Sequence, residues 1–277
     1  MKNRINPFLA PNHQSGVVVV LAAMCVAMLA VGCAPRVYSP PVRTAGLSSP
    51  ATVGDGRVGV QVSGSHPVAG IGSDPGSPPE TAGVRVRYGL APKVDLLVEG
   101  GGSYANNWPQ SDAFDILAIG GAAGLKYRFA EFAAVDAGLG FGGSKVGGFL
   151  GPDIGIVVGY ENELFVPFLG FHFGLSIPVF SNELTGTSTP FPSGTPEEYA
   201  VEPQLTTYTT TEAGFRLQLG ASGGFHGNLL AGIQLVNVSS GDSVVRTDAG
   251  AGSDEGDPDA GQGTWYYAIT GGVEFVF

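Results

Sequence analysis

The chain ends in Trp265-Tyr266-Tyr267-Ala268-Ile269-Thr270-Gly271-Gly272-Val273-Glu274-Phe275-Val276-Phe277. Taken alternately, Trp265, Tyr267, Ile269, Gly271, Val273, Phe275 and Phe277 fall on one face. Tyr266, Ala268, Thr270, Gly272, Glu274 and Val276 fall on the other. Period two is the mark of a strand, because successive side chains point to opposite faces. Here one face is almost wholly aromatic and aliphatic, and the other is small or polar. A strand of a soluble sandwich would instead turn Lys, Glu and Thr toward water. The span from Trp265 to Phe277, at ~3.3 Å per residue and a ~40° tilt, is roughly 30 Å tall, enough for an apolar band with an aromatic girdle at each edge.

The same alternation recurs upstream. Leu169, Phe171, Phe173, Leu175 and Ile177 alternate with Gly170, His172, Gly174 and Ser176, and Ala213, Phe215, Leu217 and Leu219 with Gly214, Arg216 and Gln218. Ten such runs lie near 57–64, 81–90, 93–104, 114–129, 132–143, 149–160, 163–180, 204–220, 225–238 and 264–277. Their connections alternate between tight (91–92, 130–131, 161–162, 221–224) and longer (65–80, 105–113, 144–148, 181–203, 239–263). Short turns on one side and longer loops on the other are the pattern of a membrane barrel. The fold expected for residues 57–277 is therefore all-β: a transmembrane antiparallel up-and-down β-barrel of about ten strands, with eight or twelve as alternatives. An even number puts both ends of this domain on the short-turn side, expected to be periplasmic. Trp265 and Tyr267 would mark the outer girdle, with Tyr88, Tyr127, Phe129, Tyr160, Phe165 and Phe277 near the inner one.

Composition agrees. Of 277 residues, 43% are hydrophobic and only 13% charged, with 45 glycines and 20 prolines, so the chain is neither an ordinary cytoplasmic enzyme nor disordered. A net charge of −11 excludes a nucleic-acid partner, since phosphate contact needs clustered Lys and Arg.

Residues 1–32 read as a secretory signal peptide: Lys2 and Arg4 precede an uncharged apolar run from Gly16 to Gly32. The run closes on Leu29-Ala30-Val31-Gly32-Cys33, which resembles a bacterial lipoprotein box, with Ala30 where Leu is usual. That resemblance implies cleavage before Cys33 and a lipid anchor on it. Residues 33–56, aperiodic and proline-containing, then read as an extended lipid-anchored linker on the periplasmic side.

The last eight residues, Thr270 to Phe277, resemble the C-terminal assembly signal of bacterial outer-membrane barrels, in which a polar residue, a Gly and alternating apolar residues ending in Phe are read by the insertion machinery. Thr270, Gly272, Phe275 and Phe277 occupy those positions. The resemblance implies a Gram-negative outer membrane, with its lipid and the insertion machinery as partners. It implies no particular activity.

Chemistry is sought first in the lumen. Arg85, Arg87, Lys126, Arg128 and Arg216 are expected to face inward against Asp95, Glu99, Asp136, Asp153 and Glu274. A lone buried charge is costly, so cross-strand pairing is expected. A salt-bridged plug is one outcome; a polar channel with space left by inward glycines is the other. No catalytic set assembles. His172 and Ser176 share a face but stand about 13 Å apart along one strand, and His66 and His226 lie near connections. No metal or cofactor is expected.

The second place is the loops. Glu183, Glu197, Glu198 and Glu202 fall in one, and Asp242, Asp248, Asp254, Glu255, Asp257 and Asp259 in another. The spacing of Asp254, Asp257 and Asp259 suggests a calcium loop, but Trp265 stands where its closing Glu belongs. These read as long acidic extracellular loops whose ligand the sequence does not name. The functional expectation is a non-enzymatic outer-membrane barrel, structural or surface-binding; a small passive channel comes second and a membrane-embedded hydrolase third.

Overall fold

A computed structural model describes residues 40–43, 46–71, 79–106, 115–162, 164–182, 184–188, 197–201, 203–222, 225–240, 244–246 and 264–277. These residues contain strands and no helix. In chain order the strands are β1 (Val58–Ile71), β2 (Glu80–Ala91), β3 (Val94–Asn106), β4 (Asp115–Ala130), β5 (Ala133–Ser144), β6 (Gly147–Gly159), β7 (Phe165–Ser181), β8 (Leu184–Ser188), β9 (Glu197–Val201), β10 (Thr206–Ser222), β11 (Phe225–Ser240), β12 (Val244–Arg246) and β13 (Thr264–Val276).

Ten of them close a barrel in the order β1-β13-β11-β10-β7-β6-β5-β4-β3-β2. These ten are the expected strands, and every pairing between neighbours is antiparallel. The seam joins β1 to β13 with Gly59 opposite Val276 and Ser65 opposite Thr270, and is locked at its end by Phe277 N donating to Val58 O at 2.8 Å. The remaining three strands form a small sheet, β12-β9-β8, from stretches the sequence marks only as loops. At five, five and three residues they are too short for alternation to reveal.

The polarity of the wall is inverted relative to a soluble barrel. Val84, Val86, Leu125, Ile154, Leu169 and Ile269 are exposed on the outside. Arg85, Arg87, Lys126, Asp136 and Glu274, one position out of phase with such residues, are buried inside. An exterior of this kind suits hydrocarbon, where a closed barrel also leaves no unpaired strand edge. At the short-turn end Tyr88, Tyr127, Phe129, Tyr160, Phe165 and Phe277 are exposed, as a girdle requires, and Phe225 stacks on Phe275 with ring centroids 5.9 Å apart. Trp265 departs from the expected outer girdle: it is 6% exposed, whereas Tyr267 is 43% exposed.

The largest departure concerns residues 33–56. Of these, 33–39 and 44–45, with Cys33 among them, lie outside the described residues, as do residues 1–32. The others do not form a linker outside the barrel. Residues 40–43 and 46–56 run down the lumen as a strap. Ser176, in the long-loop half of β7, donates to Pro40 O at 2.7 Å, and Asp95, at the short-turn end of β3, accepts from Val53 N at 3.1 Å. Along the way Val42 packs with Ala118 and Phe149, and Leu47 with Val157, Phe168 and Leu230. The strap turns into β1 through Gly54 and Gly56, whose φ of 91° and 68° suit glycine, with Arg57 N donating to Gly54 O at 3.2 Å.

Wall glycines make room for this passage. A Cβ on Gly89 would stand 1.7 Å from Gly54 O, and one on Gly140 would stand 2.3 Å from Val42 O. Inward glycines that the sequence suggested would leave open space instead admit the strap.

Candidate functional site: the charged lumen and its strap

The charges inside the barrel are arranged around the strap as much as across the wall. Arg43, on the strap, is the centre. Its Nη2 lies 2.6 Å from Glu99 Oε1 on β3 and its Nη1 2.6 Å from Asp136 Oδ1 on β5. Nη1 also contacts Asp153 Oδ1 on β6. One planar guanidinium thus ties three strands together, and its fixed fork of donors is what allows this. Arg85, opposite Glu99 in the β2–β3 register, donates from Nε to the same carboxylate at 2.7 Å.

Nearer the short turns lies a second group. Arg87 donates to Ala51 O of the strap at 2.8 Å, pairs with Asp95 at 3.3 Å, and contacts Glu274 of β13. Asn228 donates to the other oxygen of Glu274 at 3.0 Å. Lys126 faces Asp95 and Asp136 in register, yet its ammonium reaches Ser48 Oγ at 2.9 Å and Ser49 O. Arg216 pairs with Glu161 at 3.1 Å and reaches Ser49 Oγ at 3.4 Å. Arg128 is half-buried near the short-turn end of β4, on the same face as Lys126.

Arg43 and Glu212 lie outside the expected set of lumen charges, as does Glu161 beside Arg216. Arg43 lies in the aperiodic strap, where no pattern assigns a face. Glu212 is buried on β10, accepts from Ser48 N at 3.4 Å, and stands 3.6 Å from His172 Nε2. Its position was legible, since it has the same parity as the inward Gly214 and Arg216.

Asp136, Asp153 and His172 bring ligand atoms within 4.8 Å of one another, the kind of donor set that holds a cation. The Arg43 guanidinium already sits against both carboxylates and supplies the positive charge there. The trio escapes sequence reading because its members come from three different strands. Ser176 is fully buried and donates to the strap, so it does not meet His172 as a nucleophile would.

Above Arg43, toward the long loops, the lumen widens into a cavity of about 100 Å³, whose walls include Asp153, His172, Tyr208, Glu212 and Tyr266. That is room for a few waters and well short of the ~300–1,000 Å³ of small-molecule sites.

Of the assembly residues, Thr270 is buried and donates to Gly64 O at 3.1 Å, while Phe275 and Phe277 are exposed on the outer face. A Cβ on Gly272 would meet Val62 O at 2.7 Å across the seam. Glu183, Glu202, Asp242, Asp248, Asp254, Glu255, Asp257 and Asp259 lie outside the described residues. Glu197 and Glu198 belong to β9.

No protein-family model matches the chain, and no curated protein does. Among solved structures, the N-terminal β-barrel domain of Pseudomonas aeruginosa OprF is similar at 12% identity and a TM-score of 0.28, covering 81% of this chain and 99% of that one. A G324V mutant of the ferric enterobactin receptor PfeA from Pseudomonas aeruginosa is similar at 10% identity and a TM-score of 0.30, covering 82% of this chain and 40% of that one. Neither likeness bears on function, and the barrel rests on its own strand pairing.

Proposed function

We propose that the protein is a non-enzymatic barrel of a Gram-negative outer membrane, exported by a signal peptide and lipid-anchored at Cys33. Its lumen is sealed by its own N-terminal strap, and its role is structural or surface-binding, through the long acidic loops. The observation that carries this reading is Arg43, seated from the strap onto Glu99, Asp136 and Asp153. The apolar outer wall supports the membrane setting, and the match of Thr270, Gly272, Phe275 and Phe277 to the assembly signal supports delivery by the insertion machinery. No cofactor or metal enters this reading. The hydrogen bond from Ser176 to Pro40 favours leaving catalysis out.

A small passive channel is the second reading. What favours it is that residues 40–43 and 46–53 join no strand ladder. The strap is held chiefly by side chains, which can let go.

The folded protein in membranes is expected to migrate differently on gels before and after boiling. Radiolabelled fatty acid is expected on the protein and not on Cys33→Ala. Equal mobilities would overturn the membrane barrel, and label that persists in Cys33→Ala would overturn the anchor.

A further inference from the structure

We infer that the chain enters the lumen from the long-loop mouth, so that the residues ahead of Pro40 are presented on the long-loop face, opposite to the end where β1 begins and β13 finishes. This rests on the membrane reading above and reverses the side expected for the N-terminal anchor.

The contacts along the strap fix its direction. Pro40 is held by Ser176, Arg43 by Glu99, Asp136 and Asp153, Leu47 O by Gln61 Nε2 at 2.9 Å, and Val53 by Asp95. Gly56 N then donates to Gly89 O at 2.9 Å beside the β2–β3 turn. Among the described residues the contacts descend from the long-loop half to the short-turn end.

Covalent reach decides where the preceding residues can go. On β7, Phe165–Ser181, Ser176 stands eleven positions from the short-turn end and five from the other. At ~3.3 Å per residue and a ~40° tilt these are roughly 28 Å and 13 Å of height. Cys33 is seven residues ahead of Pro40, and seven extended residues span at most about 25 Å. A return to the short-turn mouth would take the whole of that reach or more, through a bore already filled by the strap. The long-loop mouth is within reach. A lipid on Cys33 then belongs to the leaflet beneath the acidic loops, and the strap is tethered at both ends, by that lipid above and by β1 below.

The protein carries its own controls for a test. Lys145, in the β5–β6 connection on the long-loop side, is exposed, and so is Lys93, in the β2–β3 turn at the other end. Lys126 is buried. Arg36→Lys adds one reporter amine at minimal change. Intact cells are treated with a membrane-impermeant amine reagent, and labelled peptides are read by mass spectrometry. Lys145 and position 36 are expected to label together, and Lys93 only after the membrane is opened. Labelling at position 36 that follows Lys93 overturns the inference while leaving the membrane reading intact. If Lys145 is also unlabelled until the membrane is opened, the membrane orientation itself fails, and the inference with it.

Discussion

A chain lacking residues 40–52 is expected to conduct ions across a planar bilayer, whereas the full chain is expected to insert and stay silent. Eight strands already make a barrel whose interior side chains can fill. Here ten strands enclose a wider bore, and the strap takes up the remainder: Val42 and Leu47 fill it, and Gly89 and Gly140 are pared back to admit it. Without the strap, Glu99, Asp136, Asp153 and Glu212 face the bore around the place of Arg43, against Arg85 and His172. The open pore should therefore favour cations, by attraction of counter-ions into an acidic constriction. Arg43→Ala, which keeps the strap but removes its central tie, should give brief openings of the same sign. The measurements are single-channel current and reversal potential in a salt gradient. A silent, correctly folded deletion variant would contradict the plug, and an anion preference would contradict the placement of the carboxylates.

The second large effect is on stability. Arg87→Ala should lower the temperature at which the folded gel band converts to the unfolded one far more than Lys93→Ala does. Arg87 is 4% exposed and joins β2 to Asp95 on β3, Glu274 on β13 and Ala51 of the strap. Its removal leaves Glu274 with Asn228 and Asp95 with Val53 N, two buried carboxylates facing amides where a guanidinium stood. Stranding the other member of a buried ion pair costs about 3–5 kcal/mol. Lys93 is exposed in a turn, where substitutions stay within about 0.5 kcal/mol. Equal shifts for the two variants would mean that Arg87 is not the joint described.

The barrel was legible because a closed sheet imposes period two on every residue it contains. One parity assignment per strand places Asp95, Lys126, Asp136 and Glu274 inside at once, and extending it along β10 places Glu212. The strap obeys no such rule. Val42, Arg43, Leu47 and Val53 are buried by walls contributed from elsewhere in the chain, so their spacing follows the path through the bore rather than any ladder. Arg43 is the clearest case. In the sequence it is one arginine in a proline-containing stretch, and its three acids lie 56, 93 and 110 positions away. Lys126 illustrates the same limit from the wall side. Register sets it between Asp95 and Asp136, yet its ammonium turns to Ser48 and Ser49, because the strap brings oxygens closer.

Whether the strap lies inside the folded barrel is tested most directly by a single thiol on it. Val42 is 6% exposed, close against Gly140 on β5 and in one buried cluster with Ala118 and Phe149. In a Cys25→Ser, Cys33→Ser background, Val42→Cys is expected to resist a soluble alkylating reagent in the heat-modifiable species and to react after boiling. A thiol that reacts at once in that folded species would contradict the strap.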